Sequence, residues 1–299
     1  MSDLVLECSI IAKEAECDFA VDGAEKLTTF KGGGSACVFY PKDENSFMRT
    51  YSLLAARMES PCVLGGGSDM VIADGLCSVP LISTAGLDGI EVKDGKAYVG
   101  SGAYIRDVTR AFRENGLGGF EFLSGVPLTV GGAIKMNAGA FGAQTADYVD
   151  KIRVLKRVCD KNCEFEVAEI SRADADFSYR KGVDDVILGA VLTADGTDVQ
   201  TSVNKAKKYA ALRAGKQPKY PSCGSVFKNG AVASGKLIED CGLKGTRCGG
   251  AEISALHGNF IVNIGGATAA DFMTLVRLAE DKVLEKYGIA LQREFVYLQ

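Results

Sequence analysis

The sequence has one histidine, His257, among its 299 residues. A Ser-His-Asp triad or a metal site with several histidines would have to depend on that single side chain. Long apolar runs are also missing, and the opening stretch Met1–Cys17 mixes charged residues with short apolar patches. The sequence therefore predicts no signal peptide and no membrane span. Acid–base chemistry is expected from Ser, Tyr, Lys, Arg or carboxylate groups.

Clustered basic charge is absent too, since 34 Lys and Arg oppose 38 Asp and Glu for a net charge of -4. A nucleic-acid surface needs a basic excess, so we predict no nucleic-acid partner. The ten cysteines are scattered, without a CxxC pair or a histidine cluster. We therefore predict no metal site and expect the reduced thiols of a cytoplasmic protein.

Glycine is abundant, and it concentrates in the stretch Glu121–Gly142, EFLSGVPLTVGGAIKMNAGAFG. Glycines cluster where the backbone takes a positive φ or where another group comes close to it. A tight core turn between two strands is one interpretation. Because Ser124, Thr129 and Asn137 add hydrogen-bonding side chains, the stretch favours a bound planar or phosphorylated ligand.

A second glycine cluster, Gly65–Asp69, follows the predicted strand Cys62–Leu64. A dinucleotide-binding fingerprint would need GxGxxG at the start of a helix, but Met70 stands at the last glycine position and a strand follows. The cluster is therefore predicted to be a loop between strands whose N–H groups can bind an anion. A plain hairpin turn is the alternative.

The remaining pattern is that of an α+β protein with many short strands. Residues 1–34 are predicted to be a polar lead-in, and a domain boundary is placed near residue 200. Helices are predicted at 45–58, 105–115, 203–215 and Ala269–Tyr287, the last with a capping box at Thr268 and Asp271. Strands are predicted at 36–40, 62–64, 70–73, 79–82, 91–92, 97–99, 148–158, 163–167, 186–193, 259–264 and 294–298, with a hairpin turn at Asp160-Lys161-Asn162.

The segment Gly230–Leu237, GAVASGKL, comes close to a phosphate-binding P-loop. Leu237 occupies the position where Ser or Thr would hold Mg²⁺. Ser234 is instead predicted to cap a helix that begins at Gly235. A nucleotide hydrolase is therefore a weak alternative.

Seven motifs in order resemble the UDP-N-acetylenolpyruvoylglucosamine reductase family, from about Thr28 to the C-terminus. Each motif is weak alone, but their order is specific. They are VLGGGSDMVIADG (63–75), FLSGVPLTVGGAIKMNAGAFG (122–142), FSYRKG (177–182), PSCGSVFKNG (221–230), GKLIEDCGLKGTRCGGAEIS (235–254), HGNFIVNIGGATAAD (257–271) and LQREFVYL (291–298).

The resemblance implies an α+β protein with the two-part FAD-binding fold of the vanillyl-alcohol-oxidase-like (PCMH-type) superfamily. It predicts an FAD domain at 1–199, with subdomains of about 1–75 and 76–199. A C-terminal α+β substrate domain at 200–299 follows, with the last strand returning toward the active site. It also implies a cytoplasmic monomer, a flavoprotein oxidoreductase of peptidoglycan synthesis, and so of cell wall biogenesis, cell shape and cell division.

The resemblance implies that NADPH reduces FAD and that UDP-N-acetylglucosamine enolpyruvate is then reduced to UDP-N-acetylmuramate. The implied catalytic residues are Ser225 as proton donor, Arg180 and Glu294. The implied substrate-binding residues are Tyr179, Lys216 and Asn229. The implied FAD-binding residues are Leu64, Gly65, Gly66, Gly67, Ser68, Asp69, Ser124, Gly125, Thr129, Gly131, Gly132, Asn137 and Gly139.

These roles are chemically coherent, because hydride addition to an enol ether beside a carboxylate places negative charge on that carboxylate. A guanidinium can stabilise this charge, and a hydroxyl can protonate the adjacent carbon. The sequence departs from the family pattern at Asp69, where Asn is common, at Leu128 in place of Gly, and in the missing serine after Arg180. The segment from Arg180 to Ser225 resembles the subgroup that lacks an extra tyrosine-bearing loop, and Ile264 is apolar where the other subgroup has an acid. A flavin oxidase of the same superfamily and a non-catalytic flavin- or nucleotide-binding protein are the alternatives.

Overall fold

The computed structural model describes residues 3–58, 61–159 and 164–299 of the chain. Short 3-10 turns occur at Glu121–Leu123 and Thr145–Asp147. The α-helices of the described part are α1 (Asp3–Ala15), α2 (Ala24–Leu27), α3 (Glu44–Arg57), α4 (Ile105–Glu114), α5 (Val130–Lys135), α6 (Val199–Lys216), α7 (Ser234–Asp240) and α8 (Ala269–Tyr287). Among these described helices, each is too short or too polar to cross a lipid bilayer.

The strands are mostly short, as the sequence predicts. They are β1 (Asp18–Gly23), β2 (Gly33–Tyr40), β3 (Cys62–Leu64), β4 (Met70–Leu76), β5 (Leu81–Ser83), β6 (Ile90–Lys93), β7 (Lys96–Gly100), β8 (Gly139–Ala140), β9 (Ala143–Gln144), β10 (Val149–Cys159), β11 (Glu164–Ser171), β12 (Val186–Thr193), β13 (Arg247–Cys248), β14 (Ala251–Ile253), β15 (Ile261–Asn263) and β16 (Val296–Leu298). The predicted turn at Asp160-Lys161-Asn162 lies outside the described residues.

The chain divides into two compact units, each made of three stretches. The first unit comprises Met1–Ala20, Val38–Gly66 and Pro80–Leu212. The second unit comprises Val21–Cys37, Gly67–Val79 and Arg213–Gln299. The predicted functional domains, 1–199 and 200–299, stay predictions.

An antiparallel sheet organises the first unit, with strand order β11-β10-β12-β7-β6. The turn between β6 and β7 is Asp94-Gly95, with φ values of 51° and 74°, as its Asp-Gly sequence predicts. Helices α4 and α5 bury Val108, Phe112 and Ile134 in the core formed with this sheet. Burial of these side chains holds α5, and with it the glycine-rich stretch, in place.

A parallel arrangement completes the first unit. The end of β2 pairs with β5, and β5 pairs with β3, with Val38 opposite Leu81 and Val63 opposite Ile82. Helix α3 connects β2 to β3, so the predicted βαβ pattern is confirmed. Its N-terminus is capped by Asp43, whose carboxylate accepts the Ser46 N–H at 2.8 Å.

Helix α8 is the centre of the second unit. Phe272, Val276, Ala279 and Val283 are at most 1% exposed and form its predicted apolar face. The predicted capping box is present, and Gly288 ends the helix with a φ of 67°. In the same unit β4 pairs in parallel with β16 and with the first half of β2, and β13-β14-β15 form a small antiparallel sheet.

Two local predictions were wrong. The expected polar lead-in contains α1, because Cys8, Ile11, Ala12 and Ala15 recur at helical spacing and are buried. The tight core turn, which was the alternative for the glycine-rich stretch, does not describe it, since the stretch contains α5. Helix α7 begins at Ser234 rather than Gly235, and the Ser234 hydroxyl donates to the Lys228 carbonyl at 2.6 Å instead of capping the helix.

Candidate active site

In the second unit, a short backbone pairing joins the segments of two predicted catalytic residues, Ser225 and Glu294. The Glu294 N–H donates to the Val226 carbonyl at 2.9 Å, and the Lys228 N–H donates to the Gln292 carbonyl at 2.8 Å. The irregular segment that follows Ser225 is therefore fixed against the chain that leads into β16. Both side chains are partly buried at this place.

A cavity of about 240 Å³ opens beside this pairing, within the second unit. Its lining combines two predicted site residues, Ser225 and Asn229, with polar groups that the sequence analysis did not assign. Lys216, the exposed last residue of α6, is not among the described lining residues. The lining is formed by Ser225, Asn229, Ala233, Gly235, Lys236, Glu239, Leu256, His257, Gly258 and Asn259.

The single histidine belongs to this cavity. Its Nδ1 accepts the Asn259 N–H at 3.2 Å, and its ring meets the Phe260 ring edge-on at 4.9 Å. Burial lowers the pKa of His257, so the imidazole is neutral at pH 7. Because Nδ1 is an acceptor, the ring proton lies on Nε2, which makes this side chain a neutral hydrogen-bond donor.

Two carboxylates lie close to one buried thiol of the second unit. Burial raises the pKa of Cys223, and the nearby charges of Asp69 and then Glu294 raise it further. The Asp69 carbonyl also accepts the Val296 N–H at 2.9 Å. Asp69, which follows the glycine loop, and Glu294 therefore share one neighbourhood.

The glycine loop after β3 has unpaired backbone donors. Leu64 ends β3, and its carbonyl accepts the Thr84 N–H at 2.9 Å. Within the described residues, the N–H groups of Gly65, Gly66, Gly67 and Ser68 make no hydrogen bond. Gly65 and Gly66 belong to the first unit, and Gly67 and Ser68 to the second. Consecutive N–H groups of this kind suit an anionic oxygen.

The start of α5 differs from the glycine loop, because its first N–H groups already make hydrogen bonds within the protein. Gly131 donates to the Ser101 carbonyl at 2.8 Å, and Gly132 donates to the Thr129 hydroxyl at 3.4 Å. A Cβ atom on Gly131 would lie 3.0 Å from that of Ser101. Close packing against the β7 end thus explains this glycine without a ligand. The preceding turn carries Ser124 and Gly125, the latter with a φ of 84°.

Asn137 is buried, with a positive φ of 40°. Its amide nitrogen donates to Gln144 Oε1 at 2.9 Å and to the Ser178 carbonyl at 3.0 Å, and its oxygen accepts the Ala146 N–H at 3.0 Å. The neighbouring Gly139 lies in β8. The side chain of Asn137 therefore supports the turn that carries Tyr179 and Arg180.

That turn is a tight hairpin between Ser178 and Lys181, closed by two backbone hydrogen bonds of 3.0 and 3.2 Å. Arg180 has a φ of 55°, an uncommon conformation for a residue other than glycine. Its guanidinium lies 5.1 Å from the ring centre of Tyr179, which is 52% exposed. The hairpin thus presents an arginine on a strained, well-supported backbone of the first unit.

Comparison with known proteins identifies the two parts of the chain. Residues 35–158 match the model of an FAD binding domain, and residues 217–298 match that of the UDP-N-acetylenolpyruvoylglucosamine reductase C-terminal domain. The reductase of Caldicellulosiruptor bescii is 37% identical over 98% of this chain and 95% of its own. The reductase of Geobacter metallireducens is 36% identical over 89% of each chain. The crystal structure of the Thermus caldophilus reductase has a TM-score of 0.77 and 31% identity, covering 95% of this chain and all of that one.

The chain belongs to the UDP-N-acetylenolpyruvoylglucosamine reductase family. It is an FAD-binding oxidoreductase, and its predicted α+β fold, an FAD-binding part followed by a C-terminal domain, is confirmed. The residues present fit a flavin dinucleotide, because the unpaired N–H groups of the glycine loop are donors that a pyrophosphate accepts. The individual assignments of site residues stay predictions.

Sequence reasoning missed Asn259, which this reductase structure places beside the predicted proton donor. Asn259 was expected to begin a strand at 259–264, but β15 starts only at Ile261. Asn259 and the backbone it contacts are 32 residues apart. No local pattern could have revealed this pairing.

Proposed function

We propose that this chain reduces the enolpyruvyl group of UDP-N-acetylglucosamine enolpyruvate to UDP-N-acetylmuramate, with NADPH as reductant, in the cytoplasm. The observation that supports it most is the hydrogen-bonded pairing of the segments of Ser225 and Glu294 in the second unit, next to a cavity of about 240 Å³. This cavity brings hydroxyl, amide, imidazole and ammonium groups together, with the carboxylate of Glu239 also in its lining. Such groups suit an oxygen-rich, anionic substrate.

FAD, when bound, supplies two-electron hydride chemistry. Addition of a hydride to the methylene carbon of the enolpyruvyl group leaves an electron pair that is shared with the adjacent carboxylate. The Ser225 hydroxyl is assigned the proton that the adjacent carbon then takes up. One hydride and one proton complete the reduction of the double bond.

Arg180 and Glu294 are assigned to the substrate carboxylate. A guanidinium is always charged, and its fork of donors matches a carboxylate in two places, so Arg180 stabilises the negative charge that develops there. Glu294 holds the carboxylate through a shared proton.

Lys216, Asn229 and Tyr179 are assigned to the rest of the substrate. The Asn229 side-chain oxygen accepts the Ser234 N–H at 3.1 Å, which orients its amide at the cavity. Asn229 and Lys216 are assigned to the diphosphate, with Tyr179 as a further contact. We also infer functional domains at 1–199 and 200–299 and a monomeric enzyme.

A colour change tests the proposed function. The purified protein should be yellow, and NADPH should bleach it under anaerobic conditions. Addition of the enolpyruvyl substrate should then restore the colour. Bleaching without recovery would instead favour a non-catalytic flavin protein, and oxidation of an alcohol with oxygen would favour an oxidase.

The proton donor is tested by Ser225→Ala, which removes one hydroxyl at nearly constant volume. Positioned proton transfer contributes about 10²–10⁴-fold, so substrate-driven reoxidation should slow by that factor. Reduction by NADPH should stay close to wild type, because Ser225 delivers no proton in that step. Stopped-flow absorbance follows both half-reactions. Slowing of both would mean that Ser225 positions the flavin, and slowing of neither would remove its assigned role.

A further inference from the structure

One buried amide holds the chain directly after Ser225. Asn259 is 2% exposed, and its side chain makes two hydrogen bonds to the backbone of a single residue. Its Oδ1 accepts the Phe227 N–H at 2.9 Å, and its Nδ2 donates to the Phe227 carbonyl at 2.8 Å. The amide thus pairs with the main chain as a neighbouring strand would.

The backbone of Asn259 adds a third contact. Its carbonyl accepts the Val226 N–H at 2.9 Å. On the other side of the segment, the Val226 carbonyl accepts the Glu294 N–H. The donors and acceptors of Val226 and Phe227 are therefore satisfied from two directions, and both side chains are 1% exposed in the core of the second unit. Little freedom remains for the segment on the C-terminal side of Ser225.

We propose that Asn259 is a positioning residue that sets the place of the Ser225 hydroxyl through Phe227 and Val226. This inference rests on the role of Ser225 in the proposed function. Only a primary amide of this length offers a donor and an acceptor side by side, so an apolar residue satisfies neither Phe227 group. Asn259 acts on the backbone and is assigned no contact with substrate.

Loss of the Asn259 amide should affect only the step in which Ser225 transfers its proton. Proton transfer needs the donor within hydrogen-bond reach of the carbon that accepts it, and a misplacement of about 1 Å can cost about 10²-fold in rate. Removal of the amide loosens Phe227 and with it the peptide that follows Ser225. Reduction by NADPH involves no proton from Ser225. Asn259 should therefore matter for reoxidation by substrate and not for flavin reduction.

The test compares Asn259→Ala with Asn263→Ala. Asn263 is also buried in the second unit, and its side chain also bonds only to backbone, that of Phe30, Lys31, Gly265 and Ala267. Both variants lose a buried amide, but only the side chain of Asn259 bonds to the segment that follows Ser225. The Asn263 N–H donates to the Pro221 carbonyl at 2.8 Å, and this backbone contact remains in Asn263→Ala. We expect reoxidation by the enolpyruvyl substrate to slow about 10–100-fold in Asn259→Ala and to change less than about 3-fold in Asn263→Ala. FAD content and flavin reduction should match wild type in both.

A double variant separates positioning from a general structural role. If Asn259 acts through the Ser225 hydroxyl, Asn259→Ala should have almost no further effect on reoxidation once Ser225→Ala is present. Equal slowing in both backgrounds would overturn the proposal, and so would wild-type reoxidation in Asn259→Ala.

If Asn259→Ala does not retain FAD, Asn259→Ser, which keeps one polar group at the site, takes its place. Loss of FAD in both would also overturn it, because Asn259 would then support the whole unit. Wild-type enzyme that is not reoxidised by the substrate would contradict the proposed function instead.

Discussion

The glycine loop after β3 offers a test of both fold and cofactor binding, because its glycines differ in what a side chain would meet. A Cβ on Gly67 would lie 1.9 Å from the Leu27 carbonyl oxygen, and Gly67 has a φ of 59°. A Cβ on Gly66 would lie 2.9 Å from the Pro127 carbonyl oxygen. Gly75 provides the matched control in the second unit, since its φ is 90° and nothing lies within 4 Å of its Cβ position.

These distances set how much each substitution should lower the free energy of unfolding. The left-handed conformation costs about 1–2 kcal/mol for a residue with a Cβ, which should be the whole effect of Gly75→Ala and lower Tm by about 2–8 °C. Gly67→Ala must also displace the Leu27 backbone, and this endangers the hydrogen bond of 3.0 Å from the Thr29 N–H to the Gly67 carbonyl. Its cost should therefore exceed that of Gly75→Ala by at least about 1 kcal/mol. Gly66→Val must also displace a backbone oxygen, that of Pro127, but by less than Gly67→Ala displaces that of Leu27.

Thermal unfolding of the FAD-free proteins and the ratio of flavin to protein absorbance give the two readouts. Gly67→Ala should lose the most thermal stability. Gly66→Val should stay folded but largely colourless, because its side chain blocks backbone approach to the pyrophosphate. Equal stability of Gly67→Ala and Gly75→Ala would refute the steric argument. Normal FAD content in Gly66→Val would refute the assignment of this loop to the cofactor.

Three further predictions concern carboxylates. Asp69→Asn should tighten FAD binding by ~1 kcal/mol in an FAD titration, because it removes a negative charge beside the proposed pyrophosphate site, and unchanged affinity would mean that the charge is compensated. Backbone hydrogen bonds, first from Thr268 and then from Gly250, hold the pKa of Asp271 below its ordinary value. The stability that this charge contributes is present above the unfolded pKa of about 3.9 and is lost as the pH falls through the lower folded pKa. Denaturant unfolding should therefore show a deficit of Asp271→Asn at pH 7 that shrinks as the pH falls below about 4. Glu121→Ala should lower the free energy of unfolding by about 2–4 kcal/mol, because the buried carboxylate accepts from Gly119 at 2.7 Å and from Ser202 at 2.5 Å, and a loss below 1 kcal/mol would contradict this.

Elements with strong local signals were predictable from the sequence. Helix α8 has its apolar face, its capping box and its terminal glycine within 21 residues, and its predicted bounds are the observed ones. Helix α1 was missed because charged residues on its exposed side, such as Lys13 and Glu14, obscure the helical spacing of its buried residues. Helix α5 was missed because two of its six residues are glycines, which weaken any helical signal. Packing on the antiparallel sheet stabilises so short a helix.

Contacts between distant residues limited the prediction of the site. The cap that Thr268 and Asp271 form is local, yet the N–H groups of Ala269 and Ala270 are also held by Asp74, almost 200 residues earlier, at 2.9 Å each. Asn259 likewise reaches Phe227 across 32 residues. Such pairings arise from the tertiary fold, so the residue type alone gives no sign of them.

Asn137 shows why a motif position and a chemical role have to be argued separately. Its place in the glycine-rich stretch led to its assignment as a cofactor ligand, but both hydrogens of its amide nitrogen are donated to the protein, one of them to Ser178 in the turn before Arg180. A loss of FAD in an Asn137 variant could therefore follow from a displaced turn. Flavin reduction and substrate-driven reoxidation distinguish the two cases, because a displaced Arg180 slows only the second.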